Sequence, residues 1–206
     1  MEDPRRVSPA FARNAEPILT VLDRVLPPVG TVLEIASGPG EHAVFFSRNL
    51  ASGRYDWRWQ PTDIDLDNLT SIDAHARALE GREEVLLPAK HLDASAAVWP
   101  VERADAVVCI NMIHIAPWAA CAGLLRGAGR VLPKDGVLYL YGPFKRGGAH
   151  TAPTNEAFDA SLRARDASWG IRDLDDVAAL AAEHGFGLDD TVEMPANNLS
   201  VVFRKE

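Results

Sequence analysis

The sequence predicts an α/β fold: a doubly wound, mostly parallel sheet of seven strands, closed by an antiparallel strand at the end of the chain. Two observations lead there. Short apolar runs alternate with segments carrying a helical stripe, a pattern that produces parallel strands with helices on both faces. The last two apolar runs are joined by only a short turn, Met194 to Asn198, and a short turn can link only antiparallel neighbours.

The elements follow in order. Pro17 to Leu26 places Ile18, Leu19, Leu22, Val25 and Leu26 on one helical stripe, stopped by Pro27, Pro28 and Gly30. Thr31 to Ile35 reads as a buried strand, followed by the turn Ala36 to Gly40. A helix over Glu41 to Leu50 would turn Val44, Phe45 and Leu50 inward. Asp56 to Pro61 is the second strand, Leu66 to Leu79 the second core helix and Glu84 to Leu87 the third strand. The continuous apolar run of Asp105 to Ile110 suits a central parallel strand. A helix over Pro117 to Leu132 has proline in its first turn. Val137 to Tyr141 is the fifth strand, and Pro143 to Pro153 a loop. Asn155 to Arg165 and Asp173 to His184 read as helices, the second closed by Gly185. Strands at Gly187 to Glu193 and Leu199 to Arg204 complete one domain over residues 1–206, with 1–28 covering the site.

Charge and composition limit the partners. The chain of 206 residues carries a net charge of −8 and no basic stripe of the kind that displaces counterions from nucleic acid. A small-molecule partner is therefore expected, and no nucleic acid. No apolar run reaches the ~20 residues that span a bilayer, so no membrane partner is expected. The N-terminal stretch has no signal-peptide core, and Cys109 and Cys121 both lie in apolar runs, which together predict a cytoplasmic protein with reduced thiols. No His/Cys/Asp cluster has metal spacing.

The chemistry concentrates around the first turn. Gly38 and Gly40 allow a close backbone approach to a ligand, and the following helix aims free N–H groups at the same place. Gly38, Gly40 and Ala43 match the dinucleotide fingerprint G-x-G-x-x-A, so a nicotinamide-dependent oxidoreductase is one reading, and a tight turn without ligand is another. Three features favour S-adenosyl-L-methionine (SAM): Glu34 lies inside the strand, Asp63 at the end of the second strand is offered to a ribose diol, and no second domain is present to carry a hydride acceptor.

Val32-Leu33-Glu34-Ile35-Ala36-Ser37-Gly38-Pro39-Gly40 resembles the first motif of the class I SAM-dependent methyltransferases, with Ala36 where glycine is usual. Four further stretches, Ser8–Leu19, Asn111–Trp118, Trp169–Leu174 and Met194–Ser200, resemble a small methyltransferase-like family of unassigned substrate found in bacteria and animals. The resemblance implies SAM as cofactor. Glu34 and the turn Ala36, Ser37, Gly38 and Gly40 would hold its methionine end, and Asp63 its ribose hydroxyls. Asp93 would face its adenine amino group, unless it serves as a helix N-cap.

Asn111 and His114 leave the fourth strand at the ligand face. Asn111 could bond the SAM amino group or the acceptor, or satisfy local backbone. His114 could deprotonate an acceptor, or be a structural histidine. The N-terminal segment with Arg13 and Asn14, the strand end at Tyr141 and the turn with Asn197 and Asn198 are expected to enclose an acceptor pocket. His42 opens a helix and reads as solvent-facing. A catalytically silent SAM-binding or interaction protein remains the alternative from another functional class.

Overall fold

The computed structural model describes residues 3–50, 56–79 and 85–206. Helix α1 spans Phe11–Val25, strand β1 Val29–Ile35, α2 Glu41–Leu50, β2 Asp56–Asp63, α3 Leu66–Arg77 and β3 Lys90–His91. Strand β4 covers Ala106–Ile110, α4 Trp118–Val131 and β5 Val137–Gly142; a small hairpin follows, β6 Lys145–Arg146 with β7 Ala149–His150. Then come α5 Pro153–Arg165, α6 Leu174–Glu183, β8 Phe186–Met194 and β9 Asn198–Lys205.

Seven of these strands form one sheet in the order β3-β2-β1-β4-β5-β9-β8. Neighbours from β3 to β5 are parallel, whereas β9 is antiparallel to both β5 and β8. The last strand in sequence therefore sits inside the sheet, and β8 forms the edge, running the same way as β5. The reason is geometric. The three-residue turn Pro195–Asn197 lets β9 pair only beside β8, while β5 offers it a second ladder from Val137↔Arg204 to Gly142↔Leu199.

Two cores flank the sheet. On one face α1 and α2 bury Ile18, Leu22 and Phe46 against Val32, Trp59, Val108 and Tyr139 of the sheet. On the other, α4 and α6 bury Leu124, Leu125, Val177 and Ala181 against Leu33, Val107 and Leu138. Each strand thus points alternate side chains into different cores, and this is why the central runs are apolar at every position.

Several expectations need correction. Helix α1 begins at Phe11, not Pro17, so Arg13, Asn14 and Glu16 lie inside it and Pro17 is an interior residue. Proline removes one intrahelical bond, but Phe11 packs edge-on against His42 and Phe45, and this contact holds the first turn in place. The third strand is Lys90–His91, not 84–87: that run meets the sheet only through an isolated parallel bridge of Leu86 to Trp59, made by Trp59 N–H to Val85 O (2.7 Å) and Leu87 N–H to Trp59 O (2.9 Å), and Glu84 lies outside the described residues. The loop from Pro143 carries the hairpin β6–β7, closed by Gly147 and Gly148 at positive φ. On α2 the buried face is His42, Ala43, Phe46, Ser47 and Leu50; Val44 and Phe45 are half-buried. His42 is thus a core residue rather than a solvent-facing one.

Candidate functional site

The carboxyl ends of β1 to β5 and of β8 share one edge of the sheet, and in open α/β sheets ligands bind at that edge. At the end of β1 the chain reverses through Ala36 (φ 55) and Gly38 (φ 59). Left-handed backbone is ordinary for glycine and costs an alanine roughly 1 kcal/mol. Ala36 pays that cost where the resembling motif carries glycine. A side chain at Gly38 would meet nothing within 4 Å, so the floor above this turn is open. Gly40 differs: at φ 101, a β-carbon there would stand 2.8 Å from Ile72, so this glycine serves the packing of α2 on α3.

Two carboxylates flank the open turn. Asp63 accepts from the Gly38 N–H (2.8 Å) and the Asp65 N–H (2.9 Å), one bond to each oxygen. A carboxylate offers about four lone-pair positions, so two remain for a ligand diol. Glu34 is fully buried and accepts from the Ser37 hydroxyl (3.0 Å) and the Trp59 indole (2.9 Å). Burial raises its pKa to about 7, helped by the nearby negative charge of Asp63 and opposed by those two hydrogen bonds. Ser37 and Asp63 together tie the turn to β2, through Ser37 N–H to Thr62 O (2.8 Å) and Thr62 N–H to Ser37 Oγ (3.2 Å). Asp93, two residues beyond β3, caps its own turn by accepting from the Ser95 N–H and hydroxyl through one oxygen. It is a turn cap, not the start of a helix.

The next strand ends carry the other candidates. Asn111 (φ 64) breaks β4 and donates its N–H to Tyr141 O (2.7 Å). His114 is 1% exposed. Its Nδ1 accepts from the Arg172 N–H (3.3 Å), so the ring proton sits on Nε2, which has no partner among the described residues. Burial, reinforced by the positive charge of Arg172, lowers its pKa to about 3. The ring is therefore a neutral donor, packed edge-on against Phe144 and over Gly142, where a β-carbon would lie 2.5 Å from Nε2.

On the opposite face, sequence reasoning missed His42. Its Nε2 lies 2.8 Å from the Asn14 side-chain oxygen, and burial lowers its pKa to about 4. The Asn14 and Asn198 side chains and the Arg13 charge lie near enough to the Tyr141 hydroxyl to favour its ionised form. Burial nonetheless raises the Tyr141 pKa above its ordinary value. Arg13, Asn14, Tyr141 and Asn198 are thus brought together. Asn197 instead donates its amide to Thr154 (3.2 Å), and the Asn155 amide donates to Asn197 O (2.9 Å), so α5 is tied to the turn. The available signal for His42 was its place beside Ala43, four residues before Phe46, on the buried face of α2. Among the described residues no group of three or more His, Cys, Asp and Glu side chains could hold a metal, and no helix is long and apolar enough to cross a membrane.

A family model described as "Protein of unknown function (DUF938)" matches residues 5–205. The chain belongs to that family. Solved structures with the same architecture include human N-acetylserotonin methyltransferase in complex with SAM, at TM-score 0.76 and 14% identity, covering 95% of this chain and 52% of that one. Another is the calicheamicin-biosynthesis methyltransferase CalO1 in its SAH-bound form, at TM-score 0.72 and 18% identity over 94% and 54%. A third is a putative sarcosine dimethylglycine methyltransferase from Galdieria sulphuraria, at TM-score 0.73 and 15% identity over 96% and 87%. This chain spans about half the length of the first two. At these identities the likeness establishes the Rossmann-like methyltransferase fold.

Proposed function

We propose that this protein is a methyltransferase that uses S-adenosyl-L-methionine to methylate a small molecule. The observation that carries the reading is the pairing of an open turn at Gly38 with the buried carboxylates Glu34 and Asp63, at the carboxyl edge of a sheet in this strand order. The dinucleotide folds use the order 3-2-1-4-5-6, with no antiparallel strand inserted beside the fifth, and that difference disfavours the oxidoreductase reading.

SAM supplies a methyl group already activated on a sulfonium, so the protein has chiefly to align the acceptor and exclude water. In this reading Glu34 and the Ala36–Gly40 turn hold the methionine end, Asp63 uses its two remaining lone-pair positions on the ribose hydroxyls, and Asp93 turns its second oxygen to the adenine amino group. Asn111 and His114 stand at the end of β4 beside the reacting centre. His114 acts there as a neutral ring whose Nδ1, accepting from the Arg172 N–H, ties the 111–114 turn to Arg172. The acceptor enters between α1 and the Pro195–Asn197 turn, beside Arg13, Asn14, Tyr141 and Asn198. The protein acts in the cytoplasm, where its two buried cysteines remain thiols.

Calorimetry tests this directly. SAM and S-adenosylhomocysteine should bind and NAD should not; NAD binding without SAM binding would overturn the proposal. With SAM binding in hand, conversion to S-adenosylhomocysteine in a cell-extract metabolite pool separates an enzyme from a silent SAM-binding protein.

A further inference from the structure

A second cavity, of about 380 Å³, opens between the start of α4, the β6–β7 hairpin, α5 and the start of α6, lined by Trp118, Lys145, Arg163, Arg172, Asp173 and Asp176 among others. Its charges are of two kinds. Lys145 and Arg163 share one counter-ion: both reach the buried carboxylate of Asp159, at 3.2 and 3.3 Å, and His150 approaches it at 3.4 Å. Asp159 is in turn fixed by the Ile171 N–H at 2.7 Å.

Arg172 is different. Its guanidinium is locked by three backbone carbonyls, Ile113 (2.9 Å), Ala116 (2.6 Å) and Ser168 (2.9 Å), and lies 5.6 Å from the centre of the Trp118 ring. No carboxylate lies within 4 Å of it among the described residues, and Nη1 bonds to none of these carbonyls. A half-buried cation without a counter-ion is costly to maintain, and desolvation is also what pushes its pKa below the usual arginine value. The rim carries the opposite sign. Asp173 caps α6 by accepting from the Asp175 N–H and also receives the Gly148 N–H, while Asp176, one helical turn on, makes no ion pair among the described residues. Neither carboxylate is neutralised by a cation.

We propose that this cavity is a binding site for a small zwitterion of the amino-acid type, whose carboxylate pairs with Arg172 and whose ammonium meets the Asp173–Asp176 rim. A purely anionic ligand would face the two rim carboxylates, and a purely cationic one would face Arg172. Trp118, 38% exposed, offers its ring as an apolar wall for the side chain. The site is distinct from the SAM edge over β1 and β2. It communicates with the β4 end because the Arg172 backbone and guanidinium bond His114 and Ile113.

The test is calorimetric titration of the intact protein, without SAM, with three probes of one shape: phenylalanine, 3-phenylpropionate and phenethylamine. Phenylalanine should bind at least about threefold more tightly than either singly charged probe. Arg172→Lys, which keeps the charge but loses the planar fork, should weaken phenylalanine about tenfold. Asp176→Asn lies at the exposed rim and leaves the fold intact; it should weaken phenylalanine about threefold and leave 3-phenylpropionate unchanged or tighter. Absence of phenylalanine binding at millimolar concentration, equal binding of phenethylamine, or a phenylalanine affinity unaltered by Asp176→Asn would each overturn the proposal. Because no arm uses SAM, failure here leaves the methyltransferase reading untouched.

Discussion

The two carboxylates at the candidate site are held in opposite ways. Asp63 accepts two backbone N–H bonds, one to each oxygen, whereas Glu34 is desolvated until its pKa reaches about 7. For Asp63→Ala, a hydrogen bond to a charged group is worth roughly 1.5–3 kcal/mol, so SAM affinity should fall about 10- to 150-fold. An unchanged dissociation constant by calorimetry would show that Asp63 does not hold the ribose. Glu34 makes a prediction about pH. Its folded pKa lies above its unfolded value of 4.5, so between about pH 4.5 and 7 the native state binds the extra proton, and stability falls as pH rises through that window. His42 and His114, with pKa values of about 4 and 3, act the other way: the unfolded chain takes up their protons below about pH 6.5, and stability falls as pH drops. Comparing Glu34→Gln with wild type isolates the first effect. The variant's melting temperature should gain on wild type progressively from pH 4.5 to 7 and then level off; a pH-independent offset would place Glu34 in a more solvated setting.

Elements meet where small residues permit it. Helix α4 carries Gly123 and Gly127 on its inner face, and these accept the segment Ala94–Trp99. A β-carbon at Gly127 would stand 2.0 Å from the Trp99 ring, and one at Gly123 would stand 2.3 Å from the Ala94 carbonyl. Alanine is the better helix former by about 1 kcal/mol, but overpacking a filled site costs typically 1–3 kcal/mol. Gly127→Ala should therefore be net destabilising, seen as a lower urea midpoint at unchanged slope. A raised midpoint would mean that Trp99 moves aside freely. The extent of α4, with proline before its first turn, was legible in the chain, and so was that of α6, because both rest on residues within one or two turns. The glycines' role was not, since the partner that makes them necessary lies about thirty residues away.

At the level of the molecule, β9 joins the parallel part of the sheet to its edge. It pairs with β5 and β8 at once and buries Val201, Val202 and Phe203, while Ser200 shares a 2.5 Å buried hydrogen bond with Tyr139. Ending the chain before Asn198 should abolish cooperative thermal unfolding measured by circular dichroism, because β5 and β8 would each expose an open ladder; a retained sharp transition would show that β1 to β5 are stable alone. The sequence by itself determined the alternation of strands and helices, the Glu34–Gly40 turn, the direction of β8 and the antiparallel last strand, because each depends on local periodicity or on a connection too short to cross the sheet. It did not determine the two-residue β3, whose pairing depends on the end of β2 and not on its own apolar content, nor the start of α1, where Phe11 packing on α2 outweighs Pro17. Only the tertiary structure decided that His42 joins the expected group of Asn14, Tyr141 and Asn198 and that His114 is a buried neutral ring. Those facts depend on which distant side chains exclude water from each ring, and desolvation has no signature in the neighbouring sequence.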